Sequence, residues 1–177
     1  MEAMNSRDRA LQLLQTYFGY TFFRPAQEAP VESLLKNEDV VAIMPTGAGK
    51  SICFQIPALC KSGLTVVFSP LISLMKDQVD GLVDQNIPAA LINSTLTQTE
   101  FNKTMYDVRS GNIKLLYIAP ERLSSNFFCN VLRSMPISQV IVDEAHCISQ
   151  WGHDFRPSYR LIGDWLASLP KRPVVGA

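Results

Sequence analysis

The sequence predicts an α/β domain with a mainly parallel sheet flanked by helices. Short β-branched runs recur along the chain: DVVAIM at 39–44, LTVVFS at 64–69, PAALI at 88–92, KLLYIA at 114–119 and QVIVD at 139–143. Each is almost continuously apolar, as strands covered on both faces are. Helical patterns fill the gaps, and repeated β-α alternation makes successive strands parallel, with helices on both sides. A length of 177 residues suits one domain, and 47% hydrophobic content supplies its core.

The elements follow in order. Pro30 and Pro57 each fall inside a helical pattern, where a missing N–H is expected to kink or shorten the helix. Residues 71–84 place Leu71, Leu74, Met75, Val79, Leu82 and Val83 close to one helical face. Thr97 and Glu100 form a capping box that starts the next helix, and Gly111 can close it. The last residues, KRPVVGA, read as a strand that stops as it starts, so the chain is expected to be truncated there.

Bulk properties exclude several classes. Sixteen basic residues balance sixteen acidic ones, so any nucleic-acid contact must come from a local face. No apolar run reaches the ~18 residues of a membrane span, and the polar opening MEAMNSRDRA is not a signal peptide. Cys53, Cys60, Cys129 and Cys147 form no C-x-x-C pair and read as scattered, buried thiols in a reducing cytosol or nucleus.

VVAIMPTGAGKS reads as strand, glycine-bearing loop and helix. Gly47 and Gly49 let the backbone of 46–49 turn its N–H groups around phosphate oxygens, and the following helix adds its positive end. Lys50 can neutralise β- and γ-phosphates, and Ser51 can ligate Mg²⁺. Met44 stands where the strict G-x-x-x-x-G-K-S pattern has its first glycine. In QVIVDEAH an apolar strand ends in Asp143 and Glu144. Asp143 can hold Mg²⁺, while Glu144 can orient and deprotonate an attacking water.

The segment AHCISQWGHDFRPSY at 145–159 gathers both histidines, His146 and His153, with Trp151, Phe155 and Arg156. A zinc site from His146, Cys147 and His153 has poor ligand spacing. A hydrophobic staple of Trp151 and Phe155, a catalytic histidine and a nucleic-acid sensor are the other readings. The sensor reading fits best, because Trp151 and Phe155 offer flat faces for bases and Arg156 offers charge or a stacking plane. Gly152 would keep the backbone mobile.

The phosphate loop with D-E-A-H resembles a superfamily 2 helicase, and more closely the RecQ family of DNA helicases. The resemblance rests on FGYTFFRPAQ at 18–27, MPTGAGKS at 44–51, SPLISLMKDQV at 69–79, INSTLT at 92–97, YIAPERL at 117–123 and DEAHCISQWGHDFRPSYR at 143–160. It implies the first RecA-like motor domain, with a second RecA-like domain and C-terminal modules absent from this chain. It implies ATP held by Thr46, Gly47, Ala48, Gly49, Lys50 and Ser51, with Mg²⁺ on Ser51 and Asp143. Tyr20 and Arg24 would sandwich the adenine and Gln27 would bond its edge; read without the resemblance, Tyr20 and Phe22 are ordinary core aromatics. Single-stranded DNA would meet Ser69, Gln78, Asn93, Ser94 and Arg122, with Thr95 and Glu121 beside them. It would also meet Trp151, His153, Phe155 and Arg156 of the loop that couples DNA binding to hydrolysis. His146 would relay strand occupancy to Lys50, Asp143 and Glu144.

The implied activity is 3′-to-5′ DNA unwinding in recombination and repair, in the bacterial cytoplasm at the nucleoid or in a eukaryotic nucleus, without membrane association. Hydrolysis would need arginine fingers from the second domain. An RNA helicase or remodeller and a non-catalytic nucleotide-binding module remain as alternatives.

Overall fold

A computed structural model describes residues 5–151 and 153–177; Gly152 lies outside them. The parallel α/β expectation holds. Five parallel strands form one sheet: β1 (Leu64–Phe68), β2 (Ala89–Ile92), β3 (Leu115–Ile118), β4 (Ile137–Val142) and β5 (Val174–Gly176), in the order β2-β3-β1-β4-β5. Helices α1 (Ser6–Phe18), α2 (Pro25–Leu35), α3 (Lys50–Cys60), α4 (Ile72–Asp84), α5 (Gln98–Arg109), α6 (Asn126–Arg133) and α7 (Arg160–Ala167) cover it.

Strand alternation divides the core. Val66 and Phe68 of β1, Leu116 and Ile118 of β3 and Val140 of β4 pack on one face with α5, α6 and α7. Phe68 meets Trp165 edge-on, with ring centroids 5.4 Å apart. Val67, Leu115, Tyr117 and Ile141 take the other face, against Phe54 of α3 and Met75 and Leu82 of α4. α1 adds an outer layer, packing Ala10 and Leu14 on Phe23, Val31 and Ile56.

The α5 signals are realised. Glu100 Oε2 accepts from Thr97 N at 2.8 Å, Thr97 Oγ1 accepts from Glu100 N at 3.3 Å, and Gly111 takes φ +74° just past the helix. Met75, Val79 and Leu82 face inward from α4, whereas Leu71 and Val83 are exposed. All four cysteines are free; Cys53, Cys129 and Cys147 are buried and Cys60 is half-buried.

Two expectations are corrected. The helices run through both prolines: α2 continues to Leu35 past Pro30, and α3 to Cys60 past Pro57. Both prolines are buried, and that burial offsets part of an interruption that costs about 3 kcal/mol in an open helix. The run 39–44 is not a two-sided buried strand. Only Val40 forms a bridge, with Gly176, and Ala42 N donates to Ala177 O at 2.8 Å. Val41 and Ile43 are exposed, because this segment lies beside β5 with no further strand against it among the described residues. Asp39 still fixes its start, accepting from Arg172 Nη1 at 3.1 Å and Val175 N at 2.8 Å.

Gly63 joins α3 to β1 at φ +88°, and a Cβ there would run into the Pro136 carbonyl oxygen. Left-handed backbone alone costs a non-glycine residue about 1–3 kcal/mol. Gly63→Ala is therefore expected to lower the melting temperature by about 4 °C or more, at roughly 2–4 °C per kcal/mol for this chain length. A thermal melt followed by circular dichroism checks it.

Candidate functional site

The site forms at the carboxyl ends of the central strands, where open parallel sheets bind ligands. Residues 45–49 turn sharply into α3. Ala48 N donates to Pro45 O at 3.2 Å, and Gly47 and Gly49 both take φ +80°. Lys50 and Ser51 open α3. Met44 contributes packing, with its sulfur 3.7 Å from Cys53 Sγ. That packing gives this loop position a use for a side chain.

Asp143 and Glu144 follow β4 directly. Asp143 Oδ1 accepts from Glu144 N at 3.0 Å and Oδ2 accepts from Ser69 Oγ at 3.4 Å. Burial pushes its carboxyl above the ordinary value, and the Glu144 charge pushes the same way. The Glu144 N–H, Lys50 and the Ser69 hydroxyl pull it back only in part. Glu144 adopts φ +50°, a left-handed conformation rare for its type. That turn brings its Oε1 to 3.1 Å from Lys50 Nζ.

His146 extends the line. Its Nδ1 is 3.3 Å from Glu144 Oε2, and its Nε2 is 3.6 Å from Asp154 Oδ2. Polar side chains thus run from Lys50 through Glu144 and His146 to Asp154. The loop that carries Trp151 is anchored twice. Tyr159, fully buried, donates its hydroxyl to Asp143 O at 2.8 Å, and Arg156 Nη1 donates to Pro70 O at 3.0 Å. Tyr159 and Asp154 lie within the motif at 143–160, but residue type alone does not reveal their contacts with Asp143 and His146. Trp151 is 95% exposed and His153 is exposed, while Phe155 is half-buried with the Arg160 guanidinium 5.6 Å over its ring. Among the described residues no three His, Cys, Asp or Glu side chains gather to hold a metal ion.

A cleft of about 640 Å³ opens beside Thr46, Lys50, Asp143, Glu144 and His146, within the size range of small-molecule sites. Tyr20, Arg24 and Gln27 do not line it. Arg24 and Gln27 lie instead against the loop backbone, where Arg24 Nη1 donates to Gly47 O at 2.9 Å.

Several expected ligand contacts are otherwise engaged. Gln27 is 3% exposed; its Nε2 donates to Ala48 O and Gly49 O, and its Oε1 accepts from Arg24 N. In this conformation the carboxamide braces the loop and is not free to read a base edge. Tyr20 and Phe22 are exposed, not core aromatics. Ser69 is fully buried and Asn93 is 4% exposed, its Oδ1 accepting from Thr95 N and Oγ1. Both are spent on internal hydrogen bonds, so neither reaches a strand here. The Arg122 guanidinium packs against the rings of both Phe101 and Phe128, at 5.4 and 5.3 Å from their centroids. Gln78 is half-buried, with its side-chain oxygen unpaired. Ser94 is exposed.

The sequence profile described as "DEAD/DEAH box helicase" matches residues 24–176. The chain belongs to that family. It is 51% identical over 170 residues to the ATP-dependent DNA helicase RecQ of Bacillus subtilis, covering 96% of this chain and 29% of that protein. It is 47% identical over 169 residues to RecQ of Pasteurella multocida, covering 96% of this chain and 27% of that one. It is 43% identical over 175 residues to the ATP-dependent DNA helicase Q5 of Mus musculus, covering 94% of this chain and 18% of that one. The chain thus spans under a third of the length of these relatives. Among solved structures, the DUF1998 helicase MrfA bound to DNA superposes with a TM-score of 0.75 at 15% identity, over 99% of this chain and 27% of that one. A hypothetical ATP-dependent RNA helicase from Sulfolobus tokodaii gives 0.70 at 22% identity, over 98% and 50%. These two likenesses show the RecA-like helicase fold.

The partly buried Asp143 charge sets a pH dependence for this helicase domain. Its folded pKa is raised, so its stabilising contribution is present below the ordinary value of 3.8 and is lost as pH rises through the folded pKa. Asp143→Asn is expected to melt higher than wild type at pH 7, with the gap closing as pH falls toward 3.8. Melting curves of both proteins across that range test it; a gap that does not change with pH refutes it.

Proposed function

We propose that this chain is the first RecA-like motor domain of a RecQ-type, ATP-dependent DNA helicase. Its full-length protein would couple ATP hydrolysis to 3′-to-5′ unwinding in recombination and repair, at the bacterial nucleoid or in a nucleus. The observation that carries the reading is the line Lys50–Glu144–His146–Asp154, which joins the phosphate loop to the loop bearing Trp151. Relatives named as ATP-dependent DNA helicases support the substrate class.

ATP would place its phosphates over residues 46–51, where backbone N–H groups and Lys50 meet negative charge. Lys50 would exchange Glu144 for the β- and γ-phosphates, and Glu144 would then be free to orient a water and take its proton. Tyr20 and Arg24 would stack on the adenine, and Gln27 would reach its edge only by releasing the loop. Mg²⁺ suits the hard oxygen donors of Ser51 and Asp143, and the raised pKa of Asp143 marks a negative charge short of a cation. Bound there, the ion would neutralise phosphate charge as the bond breaks. Ser94, Trp151, His153, Phe155 and Arg156 would meet the strand. A second RecA-like domain of the full-length protein would supply arginines to the same phosphates, an effect worth about 10³–10⁵ in related enzymes.

Titration calorimetry with Mg·ATP tests the nucleotide site. Lys50→Ala is expected to weaken binding roughly tenfold or more, the scale of one charge-assisted hydrogen bond. The monomeric chain alone is expected to show negligible ATPase; robust DNA-stimulated turnover would contradict the two-domain requirement. In the full-length enzyme Trp151→Ala is expected to blunt stimulation by single-stranded DNA, and stimulation equal to wild type removes the sensor role. Running DNA and RNA side by side separates the DNA reading from an RNA helicase.

A further inference from the structure

We propose that Lys61, at the end of α3, is an amine-modification site that takes an acyl group from a small anionic donor, an acyl phosphate. The site lies at the amino ends of β1 and β3, whereas Asp143 follows the carboxyl end of β4 and Lys50 the phosphate loop. The inference is therefore independent of the nucleotide chemistry.

Lys61 is half-buried where α3 turns into β1. Its Nζ donates to Asn37 Oδ1 at 2.8 Å, and Asn37 is held at φ +61° in the turn after α2. That acceptor is a neutral amide. An ammonium taken partly out of water keeps its charge best when an anion replaces the lost solvent. Among the described residues no carboxylate lies within ion-pair distance of Lys61. Burial accordingly pushes the amine down from 10.5 to about 8, and the Cys60 thiol pulls it back only in part. A free-amine fraction near neutral pH makes a lysine nucleophilic.

The other charged groups around it are cations. Lys114 Nζ donates to Gly63 O at 2.7 Å and also to Lys61 O, so a second ammonium is pinned to the same turn. Burial lowers the Lys114 pKa, and Arg9 of α1 lowers it further. Burial pushes the Cys60 thiol up, while Arg9, Lys114 and Lys61 each draw it back. Basic groups from α1, from the turn after α3 and from the start of β3 thus converge on one thiol. Arg9 and Lys114 complement an anionic donor, and Lys61 supplies the amine. The remaining lysines are placed differently: Lys36 is paired with Glu32, Lys50 with Glu144, and Lys76, Lys103 and Lys171 are exposed.

In the reaction the Lys61 lone pair attacks the acyl carbon and a C–N bond forms. The C–O bond to the phosphate breaks, phosphate leaves with the electron pair, and the amine proton passes to water. The product is a neutral amide, and the cluster loses one positive charge.

Incubation of the chain with acetyl phosphate near pH 7, followed by mass-spectrometric mapping of acetyl-lysines, tests the assignment. Lys61 is expected to react roughly tenfold faster than Lys103 and Lys171, because a lower pKa enlarges the free-amine fraction while weakening the amine as a nucleophile. Its rate should level off above about pH 8, where the amine is already free. Asn37→Asp places a carboxylate on the ammonium and is expected to slow Lys61 about fivefold or more. Arg9→Gln is expected to slow acetyl phosphate about twofold or more and to leave an uncharged acetyl ester unaffected. Melting curves confirm that both variants fold. Lys61 reacting no faster than Lys103 and Lys171, or Asn37→Asp reacting like wild type, overturns the site. Selective labelling of Lys61 by the uncharged ester but not by acetyl phosphate overturns the donor class.

Discussion

Asp143 is held through each of its polar atoms, and the site is arranged around it. Its N–H donates to Phe68 O and carries the β4–β1 ladder one step past the strand. Its carbonyl accepts from Tyr159, and its two carboxylate oxygens accept from Glu144 N and Ser69 Oγ. Residues from β1, β4 and the loop after it therefore meet at one side chain. The carboxylate is buried more fully than its donors compensate, which keeps its pKa raised. A buried charge with incomplete neutralisation lowers stability, and functional sites retain such groups for the ligand they bind.

The remaining charges take their geometry from that anchor. Glu144 pays backbone strain at φ +50° to turn its carboxylate toward Lys50. His146 sits between that carboxylate and Asp154. Lys50, Glu144, His146 and Asp154 thus stand in one line, each within 4 Å of the next. Lys50 and Glu144 are only partly buried, so water screens their attraction and leaves it moderate.

Gln27 and Arg24 hold the backbone of 47–49 by three hydrogen bonds to its carbonyl oxygens, and a fourth, from Arg24 N to Gln27 Oε1, closes the start of α2. Gly49 has no room for a Cβ because the Gln27 amide nitrogen occupies its direction. The glycine therefore serves two purposes: a left-handed turn and close approach of a neighbouring side chain. The phosphate loop is thus held both by Gln27 and by the Lys50–Glu144 pair.

Most of the fold was legible in the sequence. Apolar runs at 64–69, 88–92, 114–119 and 139–143 became strands, and Thr97, Glu100 and Gly111 bounded α5 as their types require. Local chemistry sets those choices. The same was true of Lys50, Asp143, Glu144 and His146, which the motif spacing selected and the structure brought together. Tertiary structure decided the rest. Apolar content at 39–44 cannot reveal that its segment lies outside the regular sheet, nor can helical spacing show that α2 and α3 continue through buried Pro30 and Pro57. Ser69, Asn93, Gln27 and Arg122 have the chemistry of ligand contacts, but packing gave each an internal partner. A side chain's type fixes what it can bond; only the fold fixes whether water, a ligand or the protein itself takes the bond.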